Sequence, residues 1–204
     1  MGLGEVASAR GWAASEVEVD CRRAVAAGLI GGILARVRYF AIDYEAMNVT
    51  GLRSKGLRAI TSSEELARPY WKRGLRHTVD YGVELTLADR RGFFVTWDLP
   101  GVTESLALLE GFGEQIVRSE GGIAVWDVSQ QPPWSTLIGI PIQNVELDYA
   151  PWGGEAGFYC TRAVIRTSDF SVQLLLDDLD EDGNFLPSVD NVVVIPGDIV
   201  PPHA

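Results

Sequence analysis

Asp177-Asp178-Leu179-Asp180-Glu181-Asp182-Gly183-Asn184 places five carboxylates in six consecutive positions and follows them with glycine and asparagine. Calcium takes several hard oxygen ligands at close range, and alternate residues of a tight loop aim their side chains at one point. Asp178, Asp180 and Asp182 are the candidate carboxylate ligands, Asn184 can offer its backbone carbonyl, and Gly183 suits a sharp bend. The competing reading is a solvated hairpin loop whose carboxylates repel one another and stay in water. The sequence favours that second reading.

The spacing Asp178-x-Asp180-x-Asp182-Gly183 matches the first half of an EF-hand loop, and the rest departs from it. A bidentate glutamate belongs at the twelfth position. Val189 stands there, and Pro187 falls inside the second half. The flanking segments read as strands rather than helices, so an EF-hand is excluded. A looser Asp-rich calcium loop remains as the alternative.

The chain carries two histidines, His77 and His203. His77-Thr78-Val79-Asp80 offers a base and an orienting carboxylate in principle. On a strand, however, residues three apart face opposite sides. His77 is therefore expected at the surface, at a strand end, and His203 in a frayed tail. Trp97-Asp98 and Trp126-Asp127 repeat a dipeptide without the period of about 40 residues that a propeller needs. Trp97, Trp126, Trp134 and Trp152 could line a cleft with Asp98 and Asp127 beside them, though a tryptophan at a strand end more often caps a core. Trp134 and Trp152, each next to proline, are expected in exposed aromatic loops. A pair of carboxylates for glycoside cleavage could be drawn from Glu84, Asp98 and Glu104, but no spacing selects one.

These residues need elements to hold them. Ser15-Glu16-Val17-Glu18 has the form of a capping box and opens a helix to about Leu29, with Gly31-Gly32 ending it. Ile33 to Tyr44 is rich in β-branched and aromatic residues and reads as a strand. Residues 46–60 show little periodicity and read as a long loop, and Ser62 opens a short helix ending near Pro69 or Gly74. Val79, Tyr81, Val83, Leu85 and Leu87 alternate with polar residues, which predicts one buried face and one wet face. Residues 77–98 then form a hairpin around Asp89-Arg90-Arg91-Gly92. Thr103 to Glu110 reads as a short helix, 123–126 as a strand and Pro132 to Gly139 as a helical turn. Ile140 to Tyr149 reads as a strand, residues 158–176 as a second hairpin, and 191–195 as the last strand. The two hairpins align faintly, Val83, Leu85 and Leu87 with Ala163, Ile165 and Thr167, short of a repeat signal. The reading is an α+β fold: a mainly antiparallel β-sheet built from hairpins, with a few short helices on one face or end. Residues 1–14 form a flexible arm, 15–197 a single domain and 198–204 an extended tail.

Composition limits function. With 28 acidic and 17 basic residues the net charge is −11. Such a surface repels phosphate backbones and anionic membranes, which excludes nucleic acid and lipid surfaces as partners. The basic run from Arg53 to Arg76 is interrupted by Glu64 and Glu65 and reads as a solvated face. Ala24 to Ala35 is too short to span a bilayer, which takes about 20 residues, and its flanks do not fit a signal peptide. Cys21 and Cys160 lack metal-ligand spacing and suit free thiols in a reducing compartment. The sequence therefore predicts a soluble cytoplasmic protein with no cofactor and no intrinsic enzymatic activity. Its expected role is an acidic module that binds a basic protein, as an inhibitor or immunity-type protein would. The alternatives are a calcium- or ligand-binding accessory domain and a hydrolase near His77.

Overall fold

Val83, Leu85 and Leu87 share one face of a strand, and burying that face requires a second layer. The computed structural model supplies it as a second sheet. The structure describes residues 14–42, 57–60, 72–73, 75–79, 81–97, 105–116, 123–151, 157–179, 185–186 and 191–197.

In chain order the elements are α1 (Glu16–Ala27), β1 (Leu34–Ile42), β2 (Leu57–Ile60), β3 (Lys72–Arg73), β4 (Arg76–Val79), β5 (Gly82–Leu87), β6 (Gly92–Trp97) and β7 (Leu106–Glu110). There follow the short α2 (Gly113–Ile116), β8 (Ile123–Asp127), a 3-10 turn (Trp134–Thr136), β9 (Asn144–Pro151), β10 (Phe158–Arg166) and β11 (Ser171–Leu176). The last are β12 (Asp178–Leu179), β13 (Phe185–Leu186) and β14 (Val192–Pro196). The first sheet has the order β2-β8-β1-β5-β6-β7, the second β3-β4-β14-β11-β10-β9, and β12 pairs with β13 alone. Every pairing is antiparallel except β2 with β8. The fold is thus α+β and mostly antiparallel.

One apolar cluster joins the inward faces of both sheets. Val37, Tyr39, Val83, Leu85, Phe93, Val95, Leu106, Leu108 and Trp126 come from the first; Val79, Ala163, Ile165, Val172, Leu174, Val192 and Val194 come from the second. α1 packs against β7 and β9, the two strands that end their sheets on that side. It starts as the sequence predicts: the Ser15 hydroxyl accepts from the Glu18 backbone N–H while the Glu18 carboxylate accepts from the Ser15 N–H.

Four expectations need correction. The alternating run from Thr78 to Leu87 is not one strand. β4 pairs with β14 in the second sheet and β5 with β1 and β6 in the first, so the chain changes layer between Val79 and Gly82. Tyr81 marks the change, its N–H bonded to the Phe40 carbonyl. Gly82 follows where a Cβ would stand 2.6 Å from the Val95 carbonyl oxygen. Residues 106–110 form a strand rather than a helix: Leu106 and Leu108 fill the inter-sheet core beside Phe93 and Val95, and pairing with β6 overrides the helix preference of Leu and Ala. Residues 57–60, expected within a loop, form a strand on the edge of the first sheet. The outward face of β5 is not wet, because Glu84 is fully buried beneath α2. The helix expected after Ser62 lies outside the described residues, as do the 1–13 arm and the 198–204 tail.

Candidate functional site

Among the described polar networks, two are built around side chains with no exposure to water, His77 and Glu84. The first lies between the sheets. β1 alternation points Tyr39 inward, and β4 alternation points His77 inward from the facing sheet. The Tyr39 hydroxyl lies 2.7 Å from His77 Nδ1, and the Trp134 indole Nε1–H donates to the same hydroxyl at 2.6 Å. The Tyr39 and His77 rings meet edge to face, with centroids 5.6 Å apart. All three residues are at most 1% exposed. Burial holds the Tyr39 phenol well above its ordinary range, partly opposed by the Trp134 hydrogen bond.

The second lies on the outer face of the first sheet. β1 presents Arg36, Arg38 and Phe40 there, and register places Arg38 opposite Glu84. Arg38 grips Glu84 with two hydrogen bonds of 2.8 Å, Nε to Oε1 and Nη2 to Oε2. Thr86 Oγ1 donates to Oε1 at 3.1 Å, and the Gly113 backbone N–H to Oε2 at 2.9 Å. Arg36 stands 3.9 Å from Oε1, and Glu114 of α2 takes the remaining arm of Arg38 at 2.6 Å. Burial alone would lower the Arg38 guanidinium, but its bonds to Glu84 and Glu114 override this and hold it above its ordinary value. For Glu114 partial burial pushes upward, and the Arg38 hydrogen bond wins, leaving its carboxyl below the usual range. Phe40, Tyr81, Phe94, Ile123 and Val125 form a separate apolar cluster on this side, with Trp97 and Ile116 packed against it.

Chemically, both arrangements are networks of groups hydrogen-bonded to one another. Both Glu84 oxygens are committed to donors, which leaves a poor general base. His77 Nδ1 meets the Tyr39 hydroxyl.

The residues singled out by sequence are scattered. Trp134 is a correction: it is fully buried, because the Pro132-Pro133 turn lays the indole across the inter-sheet core, where Tyr39 satisfies its N–H. Trp126 is also in that core, while Trp97 packs against the outer cluster, so the three described tryptophans of that set do not share one wall. His77 is likewise buried rather than at a surface strand end. Asp127 is exposed at the end of β8 and accepts from the Ser129 N–H at 3.0 Å. Asp98 and Trp152 lie outside the described residues, as do Asp180, Asp182 and Asn184. Asp178 opens β12, opposite Leu186 in a small hairpin, and its side chain is not described. No group of three or more His, Cys, Asp or Glu suited to a metal is found among the described residues.

Neither polar network was predicted. Alternation alone places Arg36 and Arg38 on one face, which was a usable signal. Nothing in the sequence ties Arg38 to Glu84 or Tyr39 to His77 and Trp134, since strand pairing brings them together over long separations. Comparison of the chain with family models, curated proteins and solved structures gives no significant match.

Proposed function

We propose that the chain is a non-enzymatic module that binds a basic protein through a carboxylate-rich surface, as an inhibitor or immunity-type protein masks a basic effector. The supporting observation is how the fold uses its arginines. Arg38 is held by Glu84 and Glu114, Arg91 by Asp89, Arg162 by Asp148 and Arg166 by Glu146. Internal pairing thus draws on the minority charge, in a chain whose net charge is −11. Such a field steers a basic partner into encounter before short-range contacts form. Neither Cys21, which is exposed, nor Cys160, which is buried, is in a disulfide, which suits a reducing, cytoplasmic setting. Among the described residues no helix is long and apolar enough to cross a membrane.

The test is association with a panel of inactivated basic nucleases and neutral control proteins, followed by biolayer interferometry at low and physiological salt. Selective binding to a basic member is expected, with an association rate that falls steeply as salt rises. Absence of binding to every basic member at about 10 mM salt, where the screening length is about 30 Å, would remove the proposal.

A further inference from the structure

The two longest stretches of the chain without Asp, Glu, Lys or Arg are residues 24–35 and 128–145. They are far apart in sequence, and the fold clamps them together. The Gly31 N–H donates to the Ile142 carbonyl and the Ile142 N–H to the Gly32 carbonyl, each at 2.8 Å. The Gly139 N–H donates to the Leu34 carbonyl, also at 2.8 Å, and Ile33 stands opposite Pro141 in an antiparallel bridge. From the β5–β6 turn the Ala88 N–H donates to the Ile33 carbonyl at 2.8 Å.

Part of this uncharged material fills the core: Leu29, Leu34, Trp134, Leu137 and Ile142 are buried. The rest stands in water. Ile30 is 46% and Ile33 41% exposed, two of the four large apolar side chains exposed among the described residues. Ala35, Ala88 and Pro141, all exposed, lie on the same three joined segments. Single exposed apolar residues are ordinary, whereas a contiguous uncharged patch marks a contact surface. We propose that this surface is where two copies of the chain meet in a weak, reversible dimer.

Charge selects the occupant. Each copy carries −11, so two copies repel, and they approach most easily where neither presents a carboxylate. A two-fold contact sets the same patch against itself, so uncharged residues meet uncharged residues. The turn at its rim, Asp89-Arg90-Arg91, carries both signs, which lets a two-fold arrangement place unlike charges opposite one another. A basic partner is drawn instead to carboxylates, which residues 24–35 and 128–145 lack. A patch built from two isoleucines and a few small residues gives a small interface, and those below about 1,200 Å² are typically transient. Salt has a definite sign here. Screening weakens the long-range repulsion between the two copies and leaves the apolar contact in place, so added salt tightens the dimer.

The experiment is sedimentation equilibrium of the full chain over a wide range of protein concentration, at about 10 and 150 mM salt. A reversible dimer that tightens with salt is expected. Ile33→Asp should weaken it at least about tenfold, by placing a charge in the centre of the contact. Val17→Asp, an equal change at a valine 72% exposed on α1, should leave it unaltered. Should Ile33→Asp not fold, hydrogen exchange of the unsubstituted chain decides: protection of the amides of residues 30–35 and 139–140 should rise with protein concentration. A monomer at every concentration would overturn the proposal, as would a dimer that survives Ile33→Asp or is weakened equally by Val17→Asp. Protection that does not change with concentration would show the surface covered by the chain's own segments, and would overturn it too. A monomer whose binding to a basic nuclease is weakened by Ile33→Asp would give the surface to that partner instead.

Discussion

A carboxylate with no exposure to water survives in a protein when its lone pairs find donors and its charge finds a partner. Glu84 meets both conditions through Arg38, Thr86 and the Gly113 N–H. The two sides of the Arg38 bridge are unequal. The Glu84 side chain is 0% exposed and that of Glu114 38% exposed. Removing Arg38 strands a buried charge, so Arg38→Ala should cost about 3–5 kcal/mol in urea unfolding. Glu114→Ala removes only the partly solvated partner and should cost less than about 1 kcal/mol. Glu114 is held below its usual range, so its contribution is present above the unfolded value and lost as pH falls through the folded one. That loss falls on the acid side of about pH 4.3. Equal losses in the two variants would mean that Glu84 is solvated in solution. Of this network the sequence revealed only that Arg36 and Arg38 share a face, because a period of two carries no information about which strand lies alongside.

Elements were legible where the signal is local and lost where it is not. The Ser15 to Glu18 capping box is a four-residue pattern, and the helix begins where it says. Ser15→Ala should cost about 1 kcal/mol, read by urea unfolding, with reduced far-ultraviolet helicity at the α1 end. The Leu106–Glu110 strand was missed because its leucines are good helix formers, and only the neighbouring β6 decides between the two states. The layer change between Val79 and Gly82 was missed because alternation continues in phase across it. α2 has no local signal and depends on its seat. Gly113 lies where a Cβ would stand 2.4 Å from the Phe40 ring, so Gly113→Ala should lift the segment off Glu84 and cost about 1–3 kcal/mol. Protection of the Gly113 amide against hydrogen exchange should fall with it. The β12–β13 pairing sets Asp178 opposite Leu186, and the reading of the residues between the two strands from sequence is a solvated loop of mutually repelling carboxylates. Millimolar calcium should therefore leave the melting temperature unchanged. A rise that disappears in Asp180→Asn would transfer the function to a calcium loop.

Charge is the property that sequence states most completely, because a sum needs no fold. Its consequences for stability and for binding have opposite signs. A chain of net charge −11 repels itself when compact, and long-range repulsion acts most strongly at low salt. Close buried pairs such as Arg38 with Glu84 are sheltered from screening, whereas charges standing in water are not. Raising ionic strength from about 10 to 150 mM should therefore raise the melting temperature of the protein alone, since the screening length falls from about 30 to 8 Å. The same change should slow association with a basic partner, because the field that steers the encounter is the field being screened. Melting curves and stopped-flow association over one salt series measure both. Opposed trends are the mark of a surface kept acidic for a partner at some expense to the fold. A melting temperature that falls with salt would show that ion pairs outweigh the surplus, and the case for a carboxylate-presenting face would fall with it.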